Sequence, residues 1–182
     1  MEIKKGIYKQ TTADTCLPSC LLMILEDKGI VKSNQKLEIE ILVEGDKINK
    51  YNRTFGHLFY VCKKYGLYAD YYSFSQYYIK VAKEIVKKFQ YNNINVKKAD
   101  INSHIVKKLI KSGYLVVSID DFALRKELHF PHYVVLDKYV NNKFELIDPW
   151  DGKLFYLNAK ELDNAVSLLN NLLYLKELLI IK

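Results

Sequence analysis

The sequence predicts an α+β fold in which helices come first and a run of strands follows. The N-terminal part carries apolar residues at helical spacing, as in "CLPSCLLMIL" and "TFGHLFYVCKKYG". The C-terminal part carries "YLVVSI", "HYVVLDKY" and "KFELID", rich in β-branched and aromatic residues and separated by the turn formers "NN" and "DPWDG". This order is typical of helices packed on an antiparallel sheet. Because 182 residues suffice for one substantial core, we expect a single domain spanning residues 1–182.

Cys16 is expected to lie at the N-terminus of the first helix or one residue before it. Asp14 and Thr15 are residue types that cap helices, Pro18 is tolerated only in a first turn, and Gly29 suits the C-terminal end. The next segment, "NQKLEIEILVEG", predicts a second helix, although "LEIEILV" also alternates like a strand. Further helices are predicted at "SQYYIKVAKEIVKKFQYNN", "NSHIVKKLIKSG" and "AKELDNAVSLLN", and further strands at "LYADYYSF" and "LLIIK".

Composition and cysteine usage exclude several classes of protein. The formal net charge is +7, but the lysines are scattered, so we expect no nucleic-acid partner. The start "MEIKKGIYKQ" lacks the apolar core of a secretory signal, and "NNLLYLKELLIIK" is too short for a membrane span. We therefore expect a cytoplasmic protein with reduced thiols. Cys16, Cys20 and Cys62 form no even disulfide framework and lack the fourth ligand of a structural zinc site, so we expect no metal or cofactor.

A histidine and an aspartate stand at the ends of two neighbouring predicted strands. His132 opens an apolar strand, and Asp148 ends the next one. A tight turn at Asn141 and Asn142 would pair the strands antiparallel and bring those two ends together. The imidazole would then lie beside a carboxylate that fixes its tautomer. Each residue also has a plainer interpretation, as a strand-edge histidine and an aspartate that begins a turn.

The first helix supplies a candidate nucleophile. A thiol at a helix N-terminus, close to an imidazolium, is stabilised as the reactive thiolate, and Cys16 is in that position. Cys20 lies one turn further along, on the side of the core leucines, and is expected to be packing. Gln10 precedes Cys16 by six residues, and its side-chain amide could donate to an oxyanion beside the Cys16 N–H. Gln10, Cys16, His132 and Asp148 are thus the parts of an acyl-transfer site.

These motifs resemble those of the bacteriocin-processing cysteine peptidases, and still more those of the related stand-alone peptidase-like domains. The opening motif of that family is matched by Gln10, "TTADT", Cys16, "LPSCLL" and Met23. The middle motif is matched by "TFGHLFYVCKKYGLYA", the histidine motif by "HYVVL" and the aspartate motif by "DPWDG". The four motifs cover roughly residues 9–152. Thr15 and Leu17 stand where that family usually has Asp and Gly, and the Tyr/Lys-rich stretch 71–100 looks longer than usual.

The resemblance implies a papain-like cysteine peptidase fold and a peptidase that cleaves a peptide or a leader peptide through a thioester. It implies Cys16 as nucleophile, His132 as acid and base, Asp148 as orienting residue and Gln10 as oxyanion donor. An acidic amphipathic leader helix would suit the basic surface and the tyrosines. Two alternatives stay open at this point. One is a papain-fold acyltransferase similar to phytochelatin synthase, and the other is a peptide-binding module without activity.

Overall fold

The computed structural model describes residue 3, residues 7–172 and residues 174–182. The strands in this part of the chain are β1 (Ala69–Ser73), β2 (Ile94–Lys98), β3 (Tyr114–Asp120), β4 (Pro131–Val140), β5 (Lys143–Ile147), β6 (Leu154–Leu157) and β7 (Glu177–Ile181). They form one sheet in the order β2–β1–β7–β3–β4–β5–β6. Neighbouring strands pair antiparallel, except that β1 and β2 pair parallel at one edge.

Most of the helices begin with a side-chain cap. The helices are α1 (Cys16–Asp27), α2 (Gln35–Ile48), α3 (Arg53–Tyr65), α4 (Gln76–Lys88), α5 (Ser103–Leu109), α6 (Phe122–Arg125) and α7 (Ala159–Ser167), the last followed by a 3₁₀ helix (Leu168–Leu172). Asparagine or serine side chains accept a first-turn N–H in α2, α3, α4, α5 and α7. The segment with both a helical and an alternating pattern is therefore helix α2. α3 ends at Gly66, whose φ of 69° is the left-handed conformation favoured by glycine.

The sheet separates two apolar cores, because side chains alternate between the faces along each strand. In β7, Leu179 and Ile181 belong to one core, and Leu178 and Ile180 belong to the other. The first core contains the buried stretch 17–25 of α1, together with much of α3 and part of α4. The second core contains apolar residues of α5 and α7. The predicted α+β class, with N-terminal helices packed on the sheet, is confirmed.

Helices α2 and α3 pack closely because each has a glycine at the contact. A Cβ built on Gly45 would come within 2.2 Å of the ring of His57, and one on Gly56 within 2.3 Å of the Gly45 carbonyl oxygen. The His57 ring is buried and lies 3.0 Å from a carboxylate oxygen of Asp46. This contact fixes the position of α2, which carries residues that hold the segment before α1 in place.

Three elements differ from the sequence-based expectation. The strands β2 and β6 and the short helix α6 were not predicted, and β2 makes the sheet mixed at its edge. The capping role expected for Thr15 is also wrong, because its hydroxyl donates to the Thr12 carbonyl and not to the amides of α1. Within the described part of the chain, no helix combines the length and apolarity needed to cross a membrane.

Candidate active site

Cys16 is the first residue of α1 and lies at the edge of the first core. Its side chain is partly exposed, whereas the nine residues after it are buried. The Thr15 side chain caps none of the α1 amides. The uncapped N–H groups of the first turn therefore give the surroundings of Cys16 a partial positive charge. This is the placement that the sequence predicts for a thiol at a helix N-terminus.

The β4–β5 hairpin brings His132 and Asp148 together as predicted. The connection contains Asn141 and Asn142, whose φ values of 49° and 60° lie in the left-handed region typical of tight hairpin turns. The His132 Nε2 atom lies 2.8 Å from Asp148 Oδ1, and both side chains are almost completely buried. The Cys16 side chain lies near enough to the imidazole to raise the His132 pKa through hydrogen bonding and charge. Since Nε2 is used by Asp148, the other ring nitrogen, Nδ1, is the one available to the thiol.

The surroundings of His132 favour its protonated form. Burial by itself lowers the pKa of the imidazole, but the hydrogen bonds to Asp148 and Cys16 outweigh burial and raise the His132 pKa to about 9. Burial raises the pKa of Asp148, but His132, the Trp150 N–H and Arg125 together bring the carboxyl pKa below its usual value. The His132–Asp148 pair is therefore imidazolium and carboxylate at neutral pH.

Two charged residues that the sequence analysis missed complete this cluster. Arg125, at the end of α6, donates to Asp148 Oδ2 and also contacts Asp121 Oδ1. The Trp150 N–H donates to Asp148 Oδ1 at 2.8 Å. Burial raises the pKa of Asp121, although His132 and Arg125 oppose that effect. Both oxygens of the Asp148 carboxylate thus have donors, which fixes its orientation toward His132.

Three residues of this cluster form, among the described residues, the group whose side chains could together hold a metal ion. Ligand-type atoms of Asp121, His132 and Asp148 lie within 4.8 Å of one another. However, Arg125 donates to both carboxylates, and the Nε2 atom of His132 is engaged with Asp148. A cation there would have to displace the guanidinium, so the donor set fits an ion-pair cluster better than a metal centre.

Gln10 lies beside the turn that carries Asp148, but part of its side chain is engaged. Its backbone N–H donates to the Pro149 carbonyl at 2.7 Å, which ties the segment before α1 to the β5–β6 turn. Its side-chain nitrogen donates to the Thr12 carbonyl at 2.8 Å. Because an amide nitrogen has two hydrogens, one donor position remains for another acceptor.

Glu38 of α2 fastens the segment that leads to Cys16. Its carboxylate accepts the Thr11 N–H at 2.8 Å and hydroxyls of Tyr8, Thr11 and Ser19 at 2.7, 2.7 and 3.1 Å. Burial would raise the pKa of Glu38, but hydrogen bonds from Thr15, Thr11 and Tyr8 lower it below the ordinary value. A buried carboxylate therefore holds residues on both sides of Gln10 in one conformation.

Comparison with known proteins assigns the fold and the family. The model of the Peptidase_C39 like family matches residues 3–163. The chain belongs to this family. No curated protein sequence matches the chain significantly.

Two solved structures share the fold of this C39-like protein. One is a double glycine motif protease from an AMS/PCAT transporter in complex with the leader peptide, with 18% identity, a TM-score of 0.56 and coverage of 100% of this chain and 93% of that chain. The other is described as a C39-like peptidase from Bacillus anthracis, with 14% identity, a TM-score of 0.58 and coverage of 98% and 95%. At these identities the likeness shows the fold alone, and it confirms the predicted papain-like architecture.

A cavity of about 340 Å³ opens beside Cys16 in this C39-like protein. Its wall is built by residues of α1, α3, α4, β4 and β7 and by the segments that precede α1, α3 and β7. The wall residues are Ala13, Asp14, Cys16, Leu17, Lys50, Tyr51, Asn52, Arg53, Thr54, His57, Tyr78, Pro131, Tyr133, Tyr174, Leu175 and Glu177. Leu17 is almost completely buried, yet it forms part of this wall next to Cys16. The cavity therefore lies where a group bound to the thiol would extend.

The remaining candidates lie away from this arrangement. The Cys20 thiol is buried and donates to the Tyr133 carbonyl oxygen at 3.4 Å, which confirms its packing role. His129, three residues before His132, is half-exposed, and its Nδ1 lies 2.8 Å from Asp120 Oδ2. Its ring stacks on that of Phe122 at a centroid distance of 4.2 Å. Of these two neighbouring histidines, His132 is the one that interacts with Cys16.

Proposed function

We propose that this member of the C39-like family is a cysteine peptidase with Cys16 as nucleophile. The observation that carries the proposal is the position of His132, whose Nε2 lies 2.8 Å from Asp148 Oδ1 and whose pKa is raised by Asp148 and by the nearby Cys16 side chain. Nucleophile, base and orienting group in this order are the arrangement used for acyl transfer.

The proposed reaction has two stages. His132 holds the proton as an imidazolium, and the Cys16 thiolate beside it attacks the peptide carbonyl carbon to form a tetrahedral intermediate. His132 then protonates the leaving amine, and a thioester to Cys16 remains. The neutral His132 then takes a proton from a water molecule, whose oxygen attacks the thioester carbon; the Cys16 thiolate leaves, and the imidazolium of His132 is restored. Asp148 keeps the imidazole in the orientation that both proton transfers require.

The oxyanion formed at each stage needs donors that do not move. We assign this role to the backbone N–H of Cys16 and the second side-chain hydrogen of Gln10. The bond from Gln10 N–H to Pro149, with the anchoring of Thr11 by Glu38, holds Gln10 close to the Asp148 turn. Donors placed in advance stabilise the charge without the cost of reorganisation.

We assign peptides as the substrate class, including leader peptides. The double glycine motif protease, which shares the fold of this chain, was solved in complex with the leader peptide. Lys80, Lys83 and Lys87 lie along one side of α4 around a second, shallower cavity. A row of lysines on a helix, in a chain of net charge +7, supports an acidic amphipathic leader as one form of substrate.

Peptide cleavage tests the proposal directly. Purified protein is incubated with acidic leader-type and unrelated peptides, with and without an added amine, and the products are identified by mass spectrometry. We expect cleavage products from the native protein, none from Cys16→Ala or His132→Ala, and nearly native activity from His129→Ala as the matched control. Cleavage that survives Cys16→Ala would contradict the proposal. Products carrying the added amine in place of a free carboxylate would assign the protein to acyl transfer.

A further inference from the structure

We propose that the cavity beside Cys16 is a subsite for a cationic side chain of the substrate, arginine or lysine, and that Glu177 selects it. The proposal rests on the proposed peptidase function for its meaning in catalysis, but the binding of a cation can be measured without turnover. It depends on the surroundings of Glu177, the chemistry of the cavity wall and the pairing of the other charges there.

Glu177 is a buried carboxylate in the wall of the cavity. It is the first residue of β7 and only 4% exposed. Its Oε2 atom accepts the Thr54 hydroxyl at 2.7 Å and the Tyr133 hydroxyl, and its Oε1 atom accepts the Tyr71 hydroxyl. Thr54 and Tyr133 also form part of the cavity wall. These contacts hold the carboxylate at the boundary between the core and the cavity.

The charge of Glu177 is not balanced by the protein around it. The described residues that donate to its carboxylate are hydroxyls, and none of them is cationic. In contrast, the buried Asp148 has Arg125, and the buried Glu145 of β5 has Lys138 at 3.2 Å. A buried carboxylate without a cation costs several kcal/mol when ionised. Consistent with that cost, burial raises the pKa of Glu177.

Glu38 shows what a buried carboxylate with a purely structural role looks like in this protein. It also lacks a cationic partner among its hydrogen bonds, but it accepts a backbone N–H and fastens a loop. Its donors lower its pKa, and it lies outside the wall of the cavity. Glu177 shares the missing cationic partner but differs in the rest, because its donors among the described residues are hydroxyls, its pKa is raised and it lies in the cavity wall. A cation that enters the cavity would provide the positive charge that Glu177 lacks among the described residues around it.

The rest of the wall suits a cation as well. The rings of Tyr51, Tyr78 and Tyr174 contribute to the wall, and aromatic faces attract ammonium and guanidinium groups. The two cationic residues of the wall already have partners. Arg53 Nε lies 2.9 Å from Asp46 Oδ1, and Lys50 Nζ lies over the Tyr51 ring, 5.2 Å from its centroid. The wall has two carboxylates, of which Asp14 is exposed to solvent, so Glu177 is the buried one without a cationic partner among the described residues.

Matched peptides separate charge from shape. Each peptide carries a single arginine, citrulline or norleucine at the same position, and the position is scanned along the sequence. Citrulline keeps the length and most donors of arginine but lacks the charge. We expect the native protein to favour the best arginine peptide over its citrulline twin about tenfold or more in kcat/KM. Glu177→Gln should reduce this ratio to about one, while Glu145→Gln, another buried carboxylate outside the cavity wall, should keep it.

Binding to the Cys16→Ala protein, measured by calorimetry, separates this proposal from the proposed function. Tighter binding of the arginine peptide without cleavage by native protein would support the cation subsite and contradict the peptidase. Cleavage with equal rates for arginine and citrulline peptides would overturn the subsite and leave the peptidase intact.

A third measurement remains decisive if Glu177→Gln does not fold. Butylguanidinium should slow the alkylation of Cys16 in native protein, and butylurea, which has the same shape and no charge, should not. Equal protection by the two compounds, or none from either, would overturn the subsite.

Discussion

Arg125 and Asp148 form an ion pair in the protein interior, on the side of the carboxylate opposite His132. The guanidinium donates to Asp148 Oδ2, and the His132 Nε2 atom lies 2.8 Å from Oδ1. The Arg125 side chain is 15% exposed and the Asp148 side chain is fully buried. Because the guanidinium also contacts Asp121, one arginine balances two buried carboxylates. The orientation of the proposed catalytic histidine therefore depends on a residue that lies far from the thiol in sequence.

Replacing Arg125 should destabilise the protein strongly. Arg125→Met leaves Asp121 and Asp148 buried without their cation, and breaking a buried pair in this way costs about 3–5 kcal/mol. Chemical denaturation measures the loss in the free energy of unfolding. The control is Lys47→Met, which removes an exposed pair with Glu44 and should cost less than about 1 kcal/mol. Similar losses for the two variants would contradict the importance of the buried pair.

The pH dependence of peptide cleavage should reflect the His132 imidazolium. Hydrogen bonds to Asp148 and Cys16 raise the pKa of this residue to about 9 in spite of burial, so the protonated form predominates below that pH. The value of kcat/KM should therefore fall as the pH rises through about 9. Asp148→Ala removes a hydrogen-bond acceptor, while burial continues to lower the His132 pKa. The decrease in kcat/KM should therefore occur at a pH lower by at least about one unit. In His129→Ala the fall should stay near 9, and a profile unchanged in Asp148→Ala would exclude this role for the carboxylate.

Gln10→Ala should lower kcat more than it changes KM. Loss of one oxyanion donor typically reduces kcat about 100-fold to 1,000-fold, because the donor acts mainly in the transition state. Gln10→Glu provides the isosteric comparison, since it keeps the size and removes the donor. Steady-state kinetics with one cleaved peptide measure both constants. A larger effect on KM than on kcat, or full activity of Gln10→Glu, would leave Gln10 as a residue that only shapes the loop.

Gly45→Ala should destabilise the contact between α2 and α3. The added Cβ would meet the His57 ring at 2.2 Å, and overpacking of this kind costs about 1–3 kcal/mol. Gly66→Ala is the comparison, because its Cβ would meet nothing within 4 Å and only the φ of 69° opposes it. That conformation costs about 1 kcal/mol for alanine. Thermal unfolding compares the two, and a Gly45→Ala protein as stable as the native one would refute the close packing.

The local patterns of the sequence predicted those features that depend on neighbouring segments. The proximity of His132 and Asp148 follows from two apolar strands joined by an asparagine turn, and all three patterns are visible in one short stretch of the sequence. β2 was missed because "INVKK" is short and largely polar, and its parallel pairing with β1 depends on the α4 connection. Arg125 and Asp121 were missed because a four-residue helix leaves no periodic pattern and the pairing of Arg125 with Asp148 joins separate segments of the chain.

The role of Glu177 was also beyond the sequence patterns. Glu177 comes directly before the predicted strand "LLIIK", and only the fold places it against Thr54 and Tyr133. The single domain over residues 1–182, the cytoplasmic location and the lack of a nucleic-acid partner stay predictions. The α+β class and the papain-like fold are confirmed, because they follow from the order and alternation of whole elements.

The rate of Cys16 alkylation tests the central claim most directly. Iodoacetamide is added to native protein, and the modified cysteines are identified and timed by mass spectrometry, with the buried Cys20 and Cys62 as internal references. We predict rapid modification of Cys16 alone in the native protein and at least about a tenfold slower reaction in His132→Ala, with His129→Ala close to native. A Cys16 rate that is unchanged in His132→Ala, or no faster than that of Cys20 and Cys62, would contradict a nucleophile activated by His132.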